Sequence, residues 1–323
     1  MLQNRKLGKT NLSVSEIGLG CWPLGGLATI NGISITYGDL DETTASNIIK
    51  TALELGVNTF DTADSYSLGN SEKRLGKALK DHREDVHIFT KAAGIPSYNE
   101  PMPMEIDLSY HHLMAALDRS LKRLETNYVD LFQAHKAPQS ENDFLSLEKT
   151  FKEIKAEGKA LYCGVSIGLE YEKGIELIKR GMVDTIQLYF SLLDFRPIEK
   201  LLPLAKKNGV GIIIAEPLAQ GFLTGKYKQG HSFSKTDIRS GYDAIALRTK
   251  IERSQHFQFL ANESRTLNVA ALAYVLNRDE VSTCIPGAKS VEQLRSNVSA
   301  SEARLTNDDL TKIAEIQQKW LQS

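Results

Sequence analysis

Eight short apolar runs, each followed by a stretch of helical periodicity, govern what this chain can fold into. They are SEIGLGC around Ile17, NTFDTA around Phe60, VHIFTK around Ile88, VDLFQAH around Leu131, ALYCGVS around Cys163, TIQLYFS around Leu188, GVGIIIAEP around Ile213 and STCIPG around Ile285. Most are continuous rather than alternating, as expected of parallel strands buried on both faces. The segments between them read as amphipathic helices, among them Ala45 to Gly56, His112 to Glu125 and Asp143 to Gly158. Gly56, Gly158 and Gly209 stand where helix C-caps are expected. Repeated βα units predict a parallel sheet, and eight of them predict a closed (β/α)8 TIM barrel of the α/β class.

No linker interrupts the 323 residues, so the whole chain, 1–323, reads as a single barrel domain. The first segment, RKLGKTNLSVSEIG, has a Gly/Asn turn and reads as a small β-hairpin closing the bottom of the barrel. One long irregular stretch, Ala219 to Asp243, follows the seventh strand and so falls over the barrel mouth. A Rossmann fold is excluded: the first strand runs into GLGCWPLGG, where Pro23 takes the third glycine's place. Neither a Walker A pattern nor H-E-x-x-H occurs.

The net charge of -1 gives no signal for nucleic acid or a membrane surface. No apolar stretch of about 18 residues predicts a membrane span, and the N-terminal segment lacks the apolar core of a secretory signal. The odd set of cysteines, Cys21, Cys163 and Cys284, reads as reduced buried thiols in a cytoplasmic protein. The histidines form no pair with ligand spacing to a carboxylate, so no metal is expected.

The chemistry lies at the strand ends. Asp61 ends the second run and Tyr66 follows it; Lys91 ends the third and His135 the fourth. In a parallel barrel these ends converge on one face. Taken singly, Asp61 reads as a strand-end cap, Lys91 as a surface charge and His135 as a satisfied polar residue. Taken together they suit proton transfer to a carbonyl oxygen. Tyr66 serves as the acid if the Lys91 ammonium lowers its pKa, with Asp61 keeping the lysine charged. A Schiff-base role for Lys91 needs a neutral amine, which Asp61 opposes. Trp22, at the end of the first strand, reads as a wall of the substrate pocket. Lys289 stands beside a helix start capped by Ser290, where a phosphate is favoured. Glu292 is expected to point aside from it.

These motifs, in this order, resemble the aldo-keto reductase superfamily across essentially the whole chain, most closely its bacterial and channel-β-subunit-like branches. FDTADSY, the TK ending in Lys91 and the strand ending in His135 resemble the catalytic tetrad. GVS at Gly164 to Ser166, Gln187, EPLAQGFLTGKY and IPGAKSVEQLRSNVSA resemble the cofactor contacts. The resemblance implies NADP(H)-dependent reduction of an aldehyde, ketone or sugar carbonyl, or the reverse. Tyr66 is then the general acid, Lys91 its tuner, Asp61 the residue holding Lys91 and bordering the cofactor, and His135 the group orienting the carbonyl. Ser166 and Gln187 are implied at the nicotinamide carboxamide, and Pro217, Leu218 and Gln220 along the ribose and pyrophosphate. Lys226 and Arg239 are implied at the phosphates, and Gly287, Lys289, Gln293 and Asn297 at the adenosine end. The resemblance also admits a regulatory NADP(H)-binding subunit, against which the intact His135 stands.

Three features depart from the family pattern. Ile167 replaces an asparagine, Ala215 and Glu216 replace the aromatic before Pro217, and Ser67 replaces the glycine after Tyr66. The substrate loops Leu24 to Asp39 and Gly94 to Ser109 contain no basic residue, which argues against a dianionic substrate. The sequence leaves the substrate, the reaction direction and the oligomeric state open.

Overall fold

The computed structural model describes residues 2–97 and 104–322. Its centre is an eight-stranded parallel sheet with its strands in sequence order. The strands are β1 (Leu19–Gly20), β2 (Thr59–Asp61), β3 (His87–Ala92), β4 (Val129–Ala134), β5 (Ala160–Gly168), β6 (Thr185–Tyr189), β7 (Gly211–Ala215) and β8 (Thr283–Cys284). The first and last strands close the barrel. Parallel bridges pair Ile17 with Cys284 and Gly20 with Gly287, and Gly18 N donates to Cys284 O at 2.8 Å.

Helices pack outside: α1 (Glu42–Glu54), α2 (Asn70–Leu79), α3 (Tyr110–Leu124), α4 (Glu141–Ala156), α5 (Tyr171–Lys179) and α6 (Leu201–Asn208). Their starts follow local chemistry. Asp41 caps α1 through Thr44 N, and Ser140 and Asp143 form a capping box on α4. Gly56, Gly158 and Gly209 all take the positive φ expected where helices end. Between β7 and β8 lie α7 (Ala244–Gln255) and α8 (Leu267–Leu276), and α9 (Val291–Val298) and α10 (Asn307–Gln322) end the chain.

Two layers fill the barrel. Phe89, Leu131, Ile213 and Ile285 form an apolar floor with Leu7, Leu12 and Val14 of the N-terminal hairpin, Asn4–Lys6 paired with Ser13–Ser15. The hairpin is therefore a plug. Two residues further along the strands, the same inward direction carries Lys91, Gln133 and Ala215, because side chains alternate across a strand. The polar site thus sits on the apolar floor.

At the opposite end from the plug, the long segment after β7 crosses the mouth and pairs with the loop after β1. Ile238 N donates to Thr36 O and Ser34 Oγ to Thr236 O, both at 2.7 Å. The loop expected from Gly94 to Ser109 forms a short antiparallel pair, Gly94–Pro96 with Met104–Ile106. Its central residues, 98–103, lie outside the described residues.

The plug imposes one strict backbone demand. Gly8, at φ 57°, turns the hairpin against the start of β7, where a Cβ would meet Gly211 N at 2.3 Å and Gly209 O at 2.5 Å. Both strain and overlap oppose a side chain there. Gly8→Ala is expected to lose about 2–4 kcal/mol in urea unfolding. A loss under about 1 kcal/mol would show that the plug yields freely.

Candidate active site

Lys91 is fully buried at the barrel axis, and its ammonium meets three acceptors. Asp61 Oδ1 lies at 2.5 Å, Thr62 O at 2.7 Å and Tyr66 OH at 3.2 Å. An ammonium has three protons, so its donors are fully used. The other Asp61 oxygen accepts from Gln187 Nε2 at 2.8 Å and Gln133 Nε2 at 3.4 Å. Ser166 Oγ donates to Gln187 Oε1 at 3.1 Å. One polar chain therefore runs Ser166, Gln187, Asp61, Lys91, Tyr66. The sequence reading missed Gln133; its signal was the period of two that puts Leu131, Gln133 and His135 on one face.

Tyr66 leaves β2 on a loop of unusual conformation. Ser67 and Leu68 take φ of 49° and 55°. The left-handed turn that a glycine would suit is thus made by serine, whose Oγ donates to Gly26 O at 2.7 Å. The His135 ring stands edge-on to Tyr66, with centroids 5.6 Å apart, and its Nδ1 approaches Ser65 Oγ at 3.5 Å. Trp22 stacks on Tyr66 at 5.7 Å and leans on Tyr37 at 4.6 Å.

These groups open on a cavity of about 680 Å³ across the C-terminal ends of the strands. It is lined by Trp22, Asp61, Tyr66, His135, Ser166, Gln187, Pro217, Leu218, Gln220, Lys226, Arg239, Gly287, Lys289, Gln293 and Asn297. Lys91 alone of the sequence-predicted site residues does not line it; it stands behind Asp61 and Tyr66. The two ends differ in chemistry. One has amide and hydroxyl groups beside Tyr66. The other has Lys226, Arg239 and Lys289 beside the start of α9, where Ser290 accepts from Gln293 N. A long ligand with an amide at one end and phosphates at the other matches this donor set.

The phosphate end is less purely basic than the sequence suggested. Arg239 grips Asp237 through two bonds, Nε to Oδ1 at 2.9 Å and Nη2 to Oδ2 at 2.6 Å. Lys289 Nζ donates to Tyr37 O at 2.7 Å, and the charges of Asp237 and Asp39 both act on it. Glu292, expected to point aside, lines the cavity. The pairing of the first and seventh loops brings Asp39 and Asp237 there, a contact between segments far apart in sequence.

Burial dominates the titration of the site. It pushes the His135 imidazole down to about 3, aided by the Lys91 ammonium, so the ring is neutral. It raises the Tyr66 phenol well above its ordinary value, and the carboxylates of Asp61 and Glu216 push further in the same direction. This reverses the expected direction for Tyr66. Asp61 neutralises the ammonium, and Glu216 adds a second negative charge that the sequence reading left unassigned. Glu216 sits at φ 54° and accepts from Tyr37 OH at 3.1 Å. Its own carboxyl is raised by burial, with Tyr37 opposing.

The sequence profile of the Aldo/keto reductase family matches residues 16–318. The chain is 33% identical to a putative voltage-gated potassium channel subunit beta of Schizosaccharomyces pombe, over 97% of this chain and 92% of that protein. It is 30% identical to the NADH-specific methylglyoxal reductase of Escherichia coli, over 96% and 97% of the two chains. The holo structure of aldo-keto reductase AKR11C1 from Bacillus halodurans matches with a TM-score of 0.80 at 31% identity, covering 98% of this chain and 96% of that one.

Asp64, beside the tyrosine loop, offers a test of the electrostatics. Burial raises its carboxyl to about 7, and the neighbouring Glu72 carboxylate adds to the shift. The folded state then binds the Asp64 proton more tightly than the unfolded chain, whose value is near 3.9. Stability from this group falls as pH rises from about 4 to about 7 and is level above that. Asp64→Asn is expected to be more stable than the parent at pH 8 and little different near pH 4. Urea unfolding at both pH values decides it; an equal difference at the two would refute the assignment.

Proposed function

The chain belongs to the aldo/keto reductase family, and we propose that it interconverts a carbonyl compound and its alcohol with NADP(H). The carbonyl is that of an aldehyde, ketone or sugar. The supporting observation is the buried Lys91 ammonium, held by Asp61 at 2.5 Å and touching Tyr66 OH at 3.2 Å, behind a cavity wall that Asp61 and Tyr66 share with His135. When bound, the dinucleotide supplies the hydride.

The protein supplies the proton and the orientation. Burial keeps the Tyr66 phenol protonated and ready to donate to the carbonyl oxygen. Donation leaves a phenolate facing the Lys91 ammonium, and that attraction lowers the cost of the step. Asp61 holds the ammonium charged and in place. His135 stays neutral and offers an N–H to the carbonyl oxygen without competing as an acid. The same charged lysine argues against a Schiff-base aldolase, and the intact His135 against a purely regulatory subunit.

For the cofactor, Ser166 and Gln187 take the carboxamide with Asp61 behind them. Their mutual bond leaves one Gln187 N–H and the Ser166 lone pairs free to do so. Pro217, Leu218 and Gln220 line the path of the ribose and pyrophosphate, with Lys226 and Arg239 at the phosphates. Gly287, Lys289, Gln293 and Asn297 hold the adenosine end. Lys289, beside the start of α9, favours a 2′-phosphate. A second reading, NAD(H), is favoured by the Asp237 charge on Lys289 and by the NADH-specific relative. The three buried free cysteines accord with a cytoplasmic location.

Tyr66→Phe is expected to lower carbonyl reduction by roughly 10²–10⁴-fold while the dinucleotide still binds. Retention of more than about a tenth of the parent kcat on the best substrate would sink the assignment. Lys289→Ala is expected to weaken NADPH binding by roughly 1–3 kcal/mol and leave NADH nearly unchanged. Isothermal titration of both cofactors against both proteins measures this. Equal losses, or a parent protein that prefers NADH, would select the second reading.

A further inference from the structure

We infer that the reacting end of the cavity selects uncharged carbonyl compounds and rejects carboxylated or phosphorylated ones, with Glu216 setting that preference. The inference rests on the carbonyl-reductase reading above and adds the substrate class to it.

The argument starts from where the charges lie. Three of the cavity's cations, Lys226, Arg239 and Lys289, act on one another and cluster at the phosphate end. The cation beside Tyr66 is Lys91, and Asp61 cancels it at 2.5 Å. His135 is neutral. Glu216 is different: it lines the cavity, and no basic side chain bonds it in the way Lys91 bonds Asp61. Its hydrogen-bond partners are neutral, the Tyr37 OH at 3.1 Å and the backbone at Gln220. Two cations, Lys250 and Arg239, act on it through space without bonding it, and Arg239 is already gripped by Asp237. Tyr37 touches Trp22, and Trp22 stacks on Tyr66, so the carboxylate belongs to the wall facing the proton donor. Its charge acts on Tyr66, second only to that of Asp61.

The rest of the reacting end offers an anion no cation. Its rim is Trp22, Ile35, Ser65 and Met104, all uncharged. The loops beside it add no cation: residues 24–38, 94–97 and 104–109 contain no lysine or arginine, while Glu105 and Asp107 fall within them. A carboxylate or phosphate on the substrate would therefore meet the Glu216 charge with no cation bonded to it. At separations of about 6 Å and an effective dielectric near 20, one such repulsion corresponds to about a hundredfold in rate or binding.

The test uses matched substrates with the same cofactor: glyceraldehyde against glyceraldehyde 3-phosphate, and methylglyoxal against glyoxylate. The parent protein is expected to favour the uncharged member of each pair by at least about tenfold in kcat/KM. Glu216→Gln removes the charge at constant shape, and the anionic-to-neutral ratio should rise by about tenfold. Met104→Arg places a cation on the uncharged rim and should raise the same ratio, which decides the matter if Glu216→Gln does not fold. Equal use of both members by the parent overturns the inference, as does a folded Glu216→Gln with an unchanged ratio. A protein that reduces no member of either pair overturns the carbonyl reading itself, and this inference with it.

Discussion

The buried pair of Lys91 and Asp61 is the interaction on which the site depends. Removing two charges from water is expensive, and their attraction repays this only when every remaining donor and acceptor is also met. Here that condition is satisfied. The ammonium's three protons go to Asp61, Thr62 O and Tyr66 OH, and the second carboxylate oxygen takes the amides of Gln187 and Gln133. Such a pair contributes little net stability compared with an apolar replacement. Its effect is geometric: it fixes the phenol of Tyr66 against a charge that cannot wander.

Burial, aided by the same pair, explains why the phenol's pKa runs opposite to a reading of the sequence. A lysine beside a tyrosine suggests an acidic phenol. In three dimensions the ammonium is closer to Asp61 than to Tyr66, and Glu216 adds its own charge. Burial then dominates, and the phenol is held protonated. In the proposed reaction the Lys91 ammonium would act on the phenolate only as the proton leaves. That is stabilisation of a developing charge rather than of a resting one.

Much of the architecture was legible because it is periodic or local. Buried parallel strands advertise themselves as apolar runs, and glycines at 56, 158 and 209 mark helix ends by conformational necessity. The strand-end position of Asp61, Lys91 and His135 follows once a barrel is assumed. Ser290 as a helix cap is equally local. What the sequence hid depends on contacts between distant segments. Asp237 reaches Lys289 only because the seventh loop pairs with the first. Glu216 meets Tyr37 for the same reason. Gln133 lies between these cases: its direction was readable from the strand period, but its partner was not.

The pairing of the first and seventh loops also divides the cavity electrostatically. It carries Tyr37 and Glu216 to the reacting end, and Asp237 to Arg239 and Lys289 at the other. Each end therefore receives a carboxylate, with different consequences. At the far end Asp237 is gripped by Arg239, and with Asp39 and Glu292 nearby it trims the charge of Lys226, Arg239 and Lys289. At the reacting end Asp61 already cancels Lys91, so Glu216 tips the balance negative. One loop contact thus places a carboxylate at each end of the cavity, one gripped by a cation and the other bonded by a neutral phenol.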